Sequence, residues 1–147
     1  MKRLALAAVL VCALGAAFIA EDAGARRALG HLSANPHAPG STANPAGRTD
    51  PDSVTNPHGR YGSRASPQSA ANPFAANPPA LEDSAGRYRG KLSANSFEAD
   101  SVANPYGRYG SRYSADSINN PYGAGNPLAL DSPHHRHGQG LRVIAPK

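Results

Sequence analysis

The 147-residue chain has no tryptophan, one cysteine and one methionine, and only 6% of it is aromatic. The cysteine, Cys12, sits in the apolar N-terminal run, so the rest of the chain can form neither a disulfide nor a thiolate metal site. From Arg26 onward only 20 Leu, Ile, Val, Phe and Tyr side chains are spread over 122 residues. Burying all of them falls short of the entropy lost in ordering that much backbone, which argues against one large core. Long helices are excluded after residue 30, because 14 prolines and 15 glycines run throughout. No glycine-rich phosphate loop follows a strand pattern and no helix carries paired metal ligands. A Ser-His-Asp set can be written down, but no evident scaffold holds it in register, so neither catalysis nor a cofactor is expected.

What the chain has instead is repetition. Asp100–Arg112 reads DSVANPYGRYGSR, and Asp52–Arg64, 48 positions earlier, reads DSVTNPHGRYGSR. Self-similarity at a fixed offset marks a multiplied structural unit. Its register is Ser-x-x-Asn-Pro-x-Gly. Units start at Ser101, Ser117 and Ser132 in the second half and at Ser53, Ser69 and Ser84 in the first, with an extra, shorter unit at Ser41. Matching leaders precede them, Gly30-His31-Leu32-Ser33-Ala34-Asn35 and Gly90-Lys91-Leu92-Ser93-Ala94-Asn95.

Asn-Pro-x-Gly is turn chemistry. Asn bonds the backbone ahead, Pro presets φ, Gly relieves the exit, and the residue before Pro avoids the helical region. Between turns, Arg108 to Ser114 is expected to run extended, weakened at Gly110. Tyr106, Tyr113 and Tyr122 stand where the first copy has His58, Ala65 and Phe74. If aromatic stacking orders the unit, residues 88–123 are better ordered than 41–75. Gly138 to Ile144 reads as a terminal strand, closing a small sheet or adding to a partner's edge.

The fold class expected is therefore mostly irregular or disordered, with short turn-rich β-like repeats, an N-terminal signal helix and no large globular core. Residues 1–25 read as a signal peptide: Lys2 and Arg3, an apolar run from Leu4 to Ile19, and an Ala23-Gly24-Ala25 site. An uncleaved anchor is the alternative, and Val11 before Cys12 argues against lipidation. A linker follows at 26–40, a degenerate, largely disordered copy at 41–87, a better-formed copy at 88–138, and the strand-like tail at 139–147. Exported localisation and a net charge of +5 point to polyanions of the envelope as partners, or to self-association. Specific nucleic-acid binding is not expected, since no recognised motif accompanies the arginines. No membrane association is expected after signal cleavage.

The pattern Tyr88–Asn95, Asp100-Ser101, Asn104–Gly107, Tyr109–Ser111 and Asp116–Gly125 resembles small exported bacterial proteins of unassigned function. These carry Asn-Pro-Tyr-Gly and Tyr-Gly-Ser repeats and a similar Gly-Leu-Arg-Val-Ile-like ending. The resemblance covers residues 88–144, with 30–87 as a decayed duplicate, and implies no activity, cofactor or binding residue. From the residues themselves, the contact candidates are Tyr106, Arg108, Tyr109, Arg112, Tyr113 and Tyr122, where ring faces and guanidinium groups suit a polyanion. The reading is a structural or adhesive repeat protein. The alternative is metal binding or buffering through His134, His135 and His137. A precursor cleaved into basic peptides, at Arg26-Arg27, is a third possibility.

Overall fold

The computed structural model describes residues 26–147, so the signal peptide expected over 1–25 lies outside the described residues. Its local order comes from hydrogen bonds three residues apart. In the unit at Ser101, the Asn104 N–H donates to the Ser101 carbonyl and the Gly107 N–H to the Asn104 carbonyl, both at 3.1 Å. The Ser101 hydroxyl accepts from the Ala103 N–H at 3.0 Å, and Asn104 Oδ1 accepts from the Tyr106 N–H at 3.0 Å. Each turn is thus held twice, by backbone and by the side chain of its first residue. Ser53 and Asn56 in the first copy do the same for Thr55 (3.2 Å) and His58 (2.9 Å).

The same side chains also bond backward. Nδ2 of Asn56, Asn72, Asn104 and Asn120 donates to the carbonyl six residues earlier, at 2.9–3.1 Å. The hydroxyls of Ser41, Ser69 and Ser101 donate to the carbonyl eight residues earlier, at 3.0–3.1 Å. These serines are buried, as are Ser117 and Ser132. Serine is therefore an interior residue of this fold, satisfying backbone groups that would otherwise be orphaned. Glycine is required where windings touch: a Cβ on Gly110 would lie 2.1 Å from the Asn104 carbonyl oxygen.

Four short strands tie the windings together: β1 (Ala28–Leu32), β2 (Ala80–Glu82), β3 (Tyr88–Lys91) and β4 (Leu141–Ile144). They form one sheet in the order β1-β4-β2-β3, with every neighbouring pair antiparallel. β2 and β3 are a hairpin whose turn is gathered by Asp83. Its Oδ1 accepts from the Ala85 and Arg87 N–H groups at 3.0 and 2.9 Å, and Gly86 supplies the positive φ of 77°. A single 3-10 turn at Pro45–Arg48 is the one helical element among the described residues. None of their helices is long and apolar enough to cross a membrane.

The sheet carries an internal two-fold relation. The pairs Ala28↔Ile144 and His31↔Arg142 of β1 and β4 recur as Tyr88↔Glu82 and Lys91↔Ala80 of β3 and β2, each set with a bulge. The relation passes through Leu81↔Val143, the central pair of β2 and β4, whose side chains are fully buried. Parallel bridges His31↔Ser41 and Lys91↔Ser101 repeat in the same way. The structural duplicate of Ser101 is therefore Ser41, not Ser53, although the strongest sequence match runs 48 positions. Ser84, read as the start of a unit, lies exposed in the hairpin turn and bonds Asp131 at 2.6 Å. Each half instead has three units, from Ser41, Ser53 and Ser69 and from Ser101, Ser117 and Ser132.

The expectation of a mostly irregular or disordered chain is overturned: the described residues build a four-stranded antiparallel sheet. Leu81, Ile118, Leu141 and Val143 form a buried cluster, and Leu29, Leu32, Val54, Leu92 and Val102 pack on it. The apolar inventory is small, as read, but Ser and Asn side chains order the windings through hydrogen bonds that an area count omits. The stretch 41–87 carries the same turns and backward bonds, which need no aromatic partner. Arg108 to Ser114 also turns instead of running extended. The Ser111 N–H donates to the Gly107 carbonyl at 3.0 Å, and the Ser111 hydroxyl caps Tyr113 at 3.2 Å.

Candidate functional site

The turn geometry dictates one outward position per unit. At Asn44, Asn56, Asn72, Asn95, Asn104, Asn120 and Asn126 the second residue after the Asn gives its N–H to that Asn, which leaves its side chain at the apex of the turn. Phe74, Phe97, Tyr106, Tyr122 and Leu128 stand there, 84–95% exposed. The fold does not ask for a ring: Ala46 occupies the same position. Large apolar groups held in water by a position that accepts alanine mark a contact surface.

In the second half, successive turns enclose a groove of about 1040 Å³. Pro105, Pro121 and Pro127, from three Asn-Pro turns, form part of its wall, together with Tyr106, Arg112 and Tyr113. Ile118 of the core and Val102 line its base. Asn119 ties this base together, its Nδ2 donating to the Val102 and Gly110 carbonyls at 3.0 and 2.9 Å. No acidic side chain lines the groove, and Arg112 forms no ion pair among the described residues.

The two-fold relation does not extend to this groove. Tyr106 corresponds to Ala46. Gly107 to Ser117 spans ten steps of chain where Gly47 to Ser53 spans six, and the longer stretch contains Arg112 and Tyr113. A symmetric scaffold thus carries a one-sided site.

The six contact candidates divide. Tyr106, Arg112 and Tyr113 meet at the groove, whereas Tyr122 is fully exposed but outside its lining. Arg108 and Tyr109 are occupied internally. The Tyr109 ring packs edge-on against Tyr88, 5.4 Å between centroids at 85°. The Arg108 guanidinium lies 5.6 Å from the centre of that ring and donates to Asp116 at 2.6 Å. In the first copy, Arg60 stacks on the buried Tyr61 and bonds Gln68. The recurrent Arg-Tyr pair is a packing device.

Beneath it lies a charge network. Arg89 bridges Asp83 at 3.1 Å and Asp116 at 3.0 Å, and Arg87 also reaches Asp83, at 2.8 Å. Burial pushes the Asp83 carboxyl up, but the Arg87 N–H and the Arg89 and Arg87 guanidinium groups together hold it below the ordinary value. The Arg108 hydrogen bond is the main cause of a lowered Asp116. Burial, then the Asp100 charge, lifts the Tyr88 phenol to about 12.

The histidines do not converge. His134 Nε2 lies 3.0 Å from the Ile118 carbonyl, and His135 Nδ1 accepts from the His137 N–H at 3.1 Å. The rings of His135 and His137 are 6.3 Å apart, and no three metal-ligating side chains gather among the described residues. Instead His134, Arg136 and His137 border a cleft of about 430 Å³ with His37, from the opposite end of the chain.

Sequence reasoning missed the groove's prolines and Asn119. The readable signal was Asn119-Asn120-Pro121, where the first copy has Ala71-Asn72-Pro73: an added amide directly before a turn. No protein-family model, curated protein or solved structure matches this chain.

Proposed function

We propose that the protein is an exported, non-enzymatic repeat scaffold that binds a component of the bacterial cell envelope through the groove of its second half. The observation that carries this reading is the one-sided placement of Tyr106, Tyr113 and Arg112. The fold accepts alanine at the position of Tyr106, and under the two-fold relation the first half has no residue at the places of the other two; in the 48-residue repeat Arg112 matches Arg64 and Tyr113 matches Ala65. Export rests on the basic, apolar and small-residue order of residues 1–25. The arrangement suits binding over catalysis, because the groove brings together ring faces, prolines and one cation, without a nucleophile beside a base.

Co-sedimentation with isolated bacterial envelope fragments tests this. Tyr106→Ala with Tyr113→Ala should weaken retention at least about tenfold, the scale of losing two aromatic anchors. Tyr122→Ala, outside the groove, should retain wild-type binding. Thermal melting should be unchanged in both variants, since the three side chains are exposed. Undiminished sedimentation of the double variant refutes the assignment.

A further inference from the structure

We infer that the occupant of the groove is an acidic polysaccharide, a chain of pyranose rings bearing carboxylates; this rests on the binding reading above and names its ligand class. Three features of the groove select that chemistry. Tyr106 and Tyr113 present rings to solvent (95% and 94% exposed), and the prolines beside them add flat apolar surface without donors. Such surfaces take the CH faces of sugar rings, which need no groove-side hydrogen bond. Asn119 spends both described bonds through Nδ2, which leaves Oδ1 directed to no described partner and able to accept from a sugar hydroxyl. Arg112 supplies a planar cationic fork suited to a carboxylate, in a lining that includes no acid.

Charge also separates this occupant from others. A second copy of the chain would bring another net charge of +5 to a basic groove. A nucleic acid draws most of its affinity from many phosphate–cation contacts at once, whereas the groove offers Arg112 with only His134 beside it. A polyglycerol phosphate has the charge but no ring to lie on Tyr106 or Tyr113. A uronic-acid glycan joins a carboxylate for Arg112 to the CH faces of a ring for Tyr106 and Tyr113.

The test is a proton–nitrogen NMR titration of the protein with an oligogalacturonate, with the same oligosaccharide after carboxyl reduction, and with an oligothymidylate of equal length. Oligogalacturonate should shift the amides of Tyr106, Tyr113 and Asn119. The reduced form should bind about threefold to fivefold more weakly, the scale of one water-exposed ion pair. Arg112→Gln should weaken the acidic ligand by that same factor and leave the reduced one unchanged. Equal affinity for both sugars, equal loss of both in Arg112→Gln, or tighter binding of oligothymidylate overturns the inference. So does an absence of groove shifts. If envelope sedimentation still depends on Tyr106 and Tyr113 in that case, the ligand class is wrong and the binding role stands. If both fail, both fall.

Discussion

Ser101→Ala is the sharpest test of how this fold is held. The Ser101 hydroxyl is fully buried, donates to the Ser93 carbonyl at 3.0 Å and accepts from the Ala103 N–H at 3.0 Å. Alanine fills nearly the same space, so no large cavity opens, and the loss is confined to two hydrogen bonds and the backbone groups they satisfied. Each bond is worth about 0.5–1.5 kcal/mol net, and leaving the Ser93 carbonyl unpaired adds about 1 kcal/mol, so the substitution should cost about 2–4 kcal/mol. For a domain of this size that lowers the melting temperature by about 8–16 °C. The matched control is Ser111→Ala. That hydroxyl is half-exposed and accepts only from the Tyr113 N–H at 3.2 Å, so about 0.5 kcal/mol should be lost. Urea denaturation of the two variants decides the matter. If Ser101→Ala costs no more than Ser111→Ala, serine is not an interior strut and the account of the core is wrong.

Four further outcomes follow from the same geometry. Asn104→Asp keeps the acceptor for Tyr106 but cannot donate to the Glu98 carbonyl, so urea denaturation should show a loss of about 1–3 kcal/mol. Gly110→Ala forces a Cβ against the Asn104 carbonyl oxygen and should cost about 3 kcal/mol or more, read by the same assay. Asp83 and Asp116 are depressed in the folded state, so their contribution is complete above the unfolded carboxylate value and is lost as pH falls through their folded values. Melting temperature should therefore drop below about pH 4, and Asp83→Asn should flatten that limb. Tyr88 is raised, so its contribution is complete below the unfolded phenol value near pH 10 and disappears towards about pH 12, a loss that Tyr88→Phe should abolish.

Part of this architecture was legible in the residues. Asn-Pro-x-Gly announces a turn through local chemistry alone, and the apolar ending Leu141–Ile144 announces a strand. The other strands were not legible, because Ala28–Leu32, Ala80–Glu82 and Tyr88–Lys91 are short and two contain glycine. They are strands only because β4 lies between β1 and β2, a pairing made by the far end of the chain. The burial of serine was hidden for a related reason: its backward acceptor is eight residues away and becomes adjacent only when the chain winds. Hydrophobicity then undercounts the interior. At the site, the exposed tyrosines were readable as candidates. Whether a given Arg-Tyr neighbour faces solvent or the scaffold was not, since Tyr109 packs on Tyr88 from a strand 21 residues earlier while Tyr113 stays exposed.

The strand order has a consequence for how the two halves depend on each other. Within the first half, β1 and β2 never touch; each finds its partner in the second half. Neither half can close its own edges, yet two identical half-length chains could satisfy every strand pairing described. Linking the halves through the Asp83–Arg87 hairpin makes that arrangement independent of concentration. It also lifts the demand that both sides be alike. A homodimer would have to repeat Arg112 and Tyr113 on both faces, whereas the single chain is free to specialise one and leave the other plain.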